Sequence, residues 1–145
     1  MSKSPRLLPA QDLGRLLRRA REARGRLVPA VMVGSAHCPW CELITKEQLL
    51  PRMASSLEPS LVVLDFDLGD HQPLPTLENL PPAGQRNFSP AAWARHHRYQ
   101  LAPTVVCIDR QGRPLGEPLV GYSSRDFYGA YLEDRIRQAQ AHWRQ

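Results

Sequence analysis

The sequence predicts an α/β fold: a central mixed sheet of about four strands with helices on both faces, preceded by an extra N-terminal helix. Three observations predict it. An apolar run at residues 28–33 leads directly into a helical pattern and then into a second β-rich run, the order of a β-α-β unit. Two later β-rich runs flank a glycine turn, which reads as a hairpin. A helical stripe then closes the chain. The 145 residues, 42% of them apolar, are expected to form one domain spanning 1–145.

Each element has its own reason. Leu13, Leu16, Leu17 and Ala20 fall at i, i+3, i+4 and i+7, giving an amphipathic helix with an arginine-rich outer face. Val28-Pro29-Ala30-Val31-Met32-Val33 suits a strand buried on both faces. From Pro39, which fits a first helical position, Leu43, Leu49 and Leu50 continue a helix that Pro51 is expected to close. Leu61–Asp67 is the second strand, ending in the turn residues Gly69 and Asp70.

Residues 71–90 hold Pro73, Pro75, Pro81, Pro82 and Pro90, so a surface insertion is expected there until Ser89-Pro90 starts a helix to Tyr99. Thr104–Asp109 is a third strand, Gln111-Gly112 a turn, and Pro118–Tyr122 a fourth strand. Ser123 and Asp126 have capping-box spacing, and Tyr128, Leu132, Ile136 and Ala139 form the last stripe.

Composition removes several functions. The net charge of +5 comes mostly from arginine in residues 15–26, where no aromatic side chains interleave to stack on bases, so nucleic acid is not an expected partner. No apolar run approaches the ~18 residues of a membrane span. Three cysteines are too few for a disulfide-stapled scaffold. Cys107, in an apolar strand, is expected to be a buried free thiol, and His71, His96 and His97 lack metal-ligand spacing and are expected to face solvent.

The chemistry concentrates in Cys38-Pro39-Trp40-Cys41. A disulfide enclosing two residues constrains the unfolded chain little, so a purely structural role explains it poorly. Thiol-disulfide exchange needs an attacking thiolate and a second thiol close enough to resolve the mixed disulfide. A cysteine at a helix start, where backbone N–H groups and the helix dipole favour negative charge, titrates at about 3.5 to 7.5 instead of about 8.5. Cys38 is therefore the expected nucleophile and Cys41, one turn in, the resolving thiol. Pro39 sets the turn, Trp40 offers apolar surface beside the sulfur, and His37 is a candidate for tuning the Cys38 pKa, with a plain solvent-facing loop histidine as the other reading.

In this order of elements, with this tetrad, the chain resembles the thioredoxin superfamily over nearly its whole length. Leu101-Ala102-Pro103-Thr104-Val105-Val106 looks like that family's cis-proline loop, and Asp109–Arg113 with Leu119–Tyr122 looks like its terminal hairpin. The resemblance implies that Pro103 is cis and faces the cysteines, and that Ala102, Pro103 and Trp40 contact substrate. It also implies a thiol-disulfide oxidoreductase acting on protein thiols and disulfides with a redox partner protein, as a reductant and a monomer. A redox-active Cys38–Cys41 disulfide would serve in place of any cofactor or metal. The similarity is greatest to bacterial periplasmic members, which implies a periplasmic setting reached with a signal segment since removed, a cytoplasmic one being left open.

One departure stands out. Thioredoxins proper carry a buried aspartate six positions before the first cysteine, where this chain has Met32, so Cys41 lacks that proton acceptor unless Glu42 or solvent serves it. The alternative function is a copper-binding or copper-delivery module using Cys38, Cys41 and a distal histidine; the two-residue spacing of the cysteines and the proline loop count against it. A non-catalytic holdase using Trp40 and the insertion is a third reading, which the intact tetrad opposes.

Overall fold

Eight consecutive residues, Leu27–Gly34, are buried on both faces and form the central strand of the sheet. In the computed structural model residues 6–75 and 88–145 are described; most of the proline-rich segment expected at 71–90, namely 76–87, lies outside them. The strands are β1 (Leu8–Pro9), β2 (Leu27–Gly34), β3 (Ser60–Asp67), β4 (Thr104–Ile108) and β5 (Pro114–Val120), in the order β1-β3-β2-β4-β5. β2 runs parallel to β3 and antiparallel to β4, and β4 antiparallel to β5. The sheet is mixed, as expected. The fifth strand is β1, a two-residue edge piece that pairs Leu8 with Leu64 and carries too short a pattern to read.

The helices are α1 (Leu13–Ala23), α2 (Pro39–Ile44), α3 (Leu50–Ala54), α4 (Pro90–His96) and α5 (Arg125–Trp143). Side chains alternate across the sheet and divide the core in two. Val31, Val33, Leu64 and Phe66 face α1, Trp93 of α4 and Trp143. Val28, Ala30, Met32, Leu61, Val63, Val105 and Cys107 face α2 and the stripe Tyr128, Leu132, Ile136 and Ala139 of α5. Ser89 caps α4, its Oγ accepting the Ala92 N–H at 3.1 Å.

Four expectations are corrected. Pro51 does not close the helix begun at Pro39: a π-helical turn, Thr45–Leu49, joins α2 to α3, with the Leu50 N–H bonded to the Thr45 carbonyl five residues back. Proline in a helix clashes with the carbonyl four residues earlier and has no N–H to give it; the wider turn accommodates both defects. The fourth strand begins at Pro114, not Pro118. Pro114, Gly116 and Pro118 read as turn, yet a missing N–H is tolerated on an edge strand, and Gly116 takes φ 81° opposite the irregular Val105–Cys107 register.

The Ser123–Asp126 capping box does not form. α5 starts after Ser124, whose side chain caps nothing, and is instead tied to the π turn: Arg125 pairs with Glu47 at 2.8 Å and its carbonyl accepts from Gln48 Nε2 at 3.0 Å. Finally, His71 and His96 are exposed but His97 is half-buried, its ring 4.7 Å from that of Trp93.

Burial, with the His96 charge adding, lowers the His97 pKa from 6.5 to about 4, with Asp109 opposing and Arg113 adding. Between those values the unfolded chain holds the extra proton, so stability is fully present above about pH 6.5 and is lost as pH falls toward 4. The urea midpoint should drop over that window in the unaltered protein and drop less in His97→Gln. Parallel pH profiles would show that His97 is not the cause.

Candidate redox site

β2 ends at Gly34, and the chain must turn sharply to start α2. His37 makes that turn in the left-handed region, φ 55°, and lies exposed at the rim of the site. Cys38 then caps α2 in extended conformation, with Pro39 in the first turn. The Cys41 N–H points at Cys38 Sγ, 3.1 Å away. Such a donor at a helix start stabilises a thiolate once the sulfur is reduced.

The two cysteines are joined in a disulfide, Cα to Cα 5.2 Å. They differ in access. Cys38 is half-buried at the surface, while Cys41 is 6% exposed and packs into the core with Ile44. Trp40, 56% exposed, stands beside them. An open cavity of about 440 Å³ is lined by Cys38 and Cys41, with His37, Glu42, Gly34 and Asp65 also bordering it.

The 102–103 loop meets this site from β4. Val33 pairs with Thr104, which carries Pro103 level with Gly34 at the end of β2. The Ala102–Pro103 peptide is cis, Pro103 is buried, and its carbonyl accepts the Gly121 N–H at 2.8 Å. Ala102 packs against the same cluster as Cys38 and Cys41. Thus the consecutive residues His37, Cys38, Pro39, Trp40 and Cys41 meet the Ala102–Pro103 loop, far away in sequence, at one end of the sheet.

Met32 is buried, as the sequence implied, with its Sδ 3.5 Å from Thr45 Oγ1. Two neighbours in the site went unread. Asp65 pairs with Met32 across β2–β3, and Leu61, Val63 and Asp65 alternate onto the cysteine side of the sheet. That alternation was the available signal. Asp65 is exposed along one edge, yet partial burial, then the Asp67 and Asp70 charges, push its carboxyl above the usual range. Gly34 is the other: a Cβ there would meet Met32 Cε at 3.3 Å and Cys41 Sγ at 3.6 Å.

Cys107 is 3% exposed, and burial raises its thiol to about 12, with Arg135 opposing. Among the described residues no group of three or more His, Cys, Asp or Glu is arranged to hold a metal ion, and no helix is long and apolar enough to cross a membrane.

No family model matches the sequence, and neither does any curated protein. Solved structures do match in shape. Oxidised thioredoxin O2 from Arabidopsis thaliana superposes with a TM-score of 0.54 at 14% identity, covering 88% of this chain and 92% of that one. The periplasmic thioredoxin SoxS from Paracoccus pantotrophus gives 0.50 at 18% identity, covering 77% and 98%. The oxidised C-terminal domain of DsbD from Neisseria meningitidis gives 0.51 at 15% identity, covering 90% and 99%. The chain therefore has the thioredoxin fold.

Proposed function

We propose that this chain is a thiol-disulfide oxidoreductase that reduces disulfides of protein substrates through Cys38 and Cys41. One observation carries the reading. On a thioredoxin fold, a reachable sulfur and a core-facing sulfur are joined in a disulfide at the start of a helix, with a backbone N–H aimed at the reachable one.

In the reduced protein the Cys38 thiolate attacks one sulfur of a substrate disulfide. A mixed disulfide forms, and the first substrate sulfur leaves as a thiolate that takes a proton from solvent. Cys41 then loses its proton and attacks Cys38 Sγ. The Cys38–Cys41 bond forms, the mixed disulfide breaks, and the second substrate thiolate leaves. Two electrons pass from the dithiol to the substrate. A redox partner protein restores the dithiol by the reverse sequence.

The exposed Trp40 and Leu101 give a protein substrate apolar surface to cover, and Ala102–Pro103 supplies backbone for it to meet. A role for His37 in favouring the Cys38 thiolate belongs to the same proposal, supported by its place on the rim of the cavity. So does action as a monomer without a further cofactor. A periplasmic setting is supported by the likeness to a periplasmic thioredoxin.

The direction of exchange is testable by equilibrating the protein with glutathione redox buffers. The potential of the dithiol-disulfide pair should lie toward the reducing end, near the about −270 mV of thioredoxins. A value near the strong oxidants, about −120 mV, would overturn the reductant role.

A further inference from the structure

The resolving step requires Cys41 to give up a proton inside the core, where the family's usual acceptor position holds Met32. A buried thiol resists ionisation, because burial penalises the charged form. Something next to Cys41 must take that proton, and the thioether of Met32 cannot.

The strand register offers a substitute. β2 and β3 are parallel and in register, so Met32 and Asp65 stand side by side on the cysteine face of the sheet, one strand spacing apart. Two residues on, Gly34 has no side chain. The place its Cβ would fill lies 3.6 Å from Cys41 Sγ and 3.7 Å from Asp65 Oδ1, with the Met32 methyl at 3.3 Å, so thiol and carboxylate flank the same point beside the Gly34 main chain. Gly34, Cys41 and Asp65 all line the cavity already described, which is large enough to hold water.

We propose that Asp65 is the proton acceptor for the Cys41 thiol, acting through water in the cavity that Gly34, Cys41 and Asp65 line together. The inference rests on the exchange reading of the site. In the step, Cys41 Sγ–H gives its proton to the water, which passes one to the Asp65 carboxylate. The sulfur's electron pair forms the bond to Cys38 Sγ, and the mixed disulfide breaks with departure of the substrate thiolate. The protonated Asp65 then returns its proton to solvent through the open cavity, or to Cys41 when the disulfide is next reduced.

Other charges face Asp65. Asp67 and Asp70 come from its own strand and the turn after it, Glu42 and Lys46 from the helical segment of the tetrad, and Arg6 from the N-terminal side; His37 borders the cavity from the loop. Partial burial, then the Asp67 and Asp70 charges, hold the Asp65 carboxyl above its ordinary value. That suits a group that must both take and return a proton. Glu42 and Asp67 also line the cavity, but Asp65 is the carboxylate nearest the Gly34 position beside Cys41 Sγ.

The test separates the two thiols in time. The reduced full chain is mixed with 5,5′-dithiobis(2-nitrobenzoate) and thionitrobenzoate release is followed by stopped flow. The first burst reports attack by Cys38, the second reports Cys41 resolving the adduct, and buried Cys107 enters neither. Asp65→Asn should leave the first burst unchanged and slow the second ~10²-fold at pH 7, the low end of what a positioned general base contributes. Its second burst should also lose the acid limb of its pH profile, and Asp65→Glu should restore most of the rate and that limb. A second burst unchanged in Asp65→Asn, or slowed instead by Glu42→Gln, overturns the inference while leaving the exchange reading standing. Absence of a first burst in the unaltered protein would overturn the exchange reading itself, and this inference with it.

Discussion

Cys41→Ser is expected to turn the protein into a trap: Cys38 still attacks a disulfide, nothing resolves the product, and mixed disulfides accumulate. The expectation follows from the unequal exposure of the two sulfurs. Cys38 is reachable and receives the Cys41 backbone N–H, a bond the serine variant keeps because the donor is main chain. Cys41 is 6% exposed and packed beside Ile44, so no outside disulfide can reach it without the helix moving. Steady-state reduction of a protein disulfide, such as insulin with dithiothreitol as the electron source, should fall to background in both Cys38→Ser and Cys41→Ser. Only the latter should give adducts on a non-reducing gel, and mass spectrometry should place them on Cys38. Adducts on Cys41 in Cys38→Ser, with none in Cys41→Ser, would reverse the two roles.

The largest effect on stability should come from the opposite face of the sheet. Trp93 is fully buried, stands edge-on to Phe66 at 5.1 Å, and donates from Nε1 to the Gly112 carbonyl at 2.9 Å. It therefore ties α4 both to the core and to the β4–β5 turn. Trp93→Ala should cost about 3–5 kcal/mol, the usual range for removing a buried aromatic. Domains of this kind have roughly 5–15 kcal/mol in all, so the variant loses a large share of its total stability. Trp93→Phe keeps most of the packing and loses the hydrogen bond, so its loss should be smaller. Urea unfolding measures both, and a cost under about 1 kcal/mol for the alanine would contradict the packing described. Because Trp93 lies across the sheet from the tetrad, the folded fraction of the variant should keep its normal exchange rate.

Much of this architecture was legible because its signals are local. The stripe Leu13-Leu16-Leu17-Ala20, the apolar run at 28–33 and the proline after Cys38 each specify an element within a few residues, and all three appear where they were read. Other features depended on neighbours distant in sequence. Pro51 looks like a stop until a π turn absorbs it, and Pro114 looks like a turn until its strand proves to be an edge. His97 looks like a surface histidine until Trp93 covers it.

The site divides in the same way. The tetrad announces itself, and Met32 shows what is missing. The alternation Leu61, Val63, Asp65 places Asp65 on one face of β3, but only the β2–β3 register sets it beside Met32.

Cys107 has a consequence of another kind. Its thiol lies 3.8 Å from the Arg135 carbonyl under α5, is almost without solvent access, and is held by burial at a pKa of about 12. Thiolate is the species that scrambles disulfides, and here it is suppressed and walled in. A chain with an odd number of cysteines thus behaves, while folded, as though it had an even number. Misoxidation to a wrong pair demands prior unfolding, so the integrity of the fold itself guards the fidelity of the redox couple.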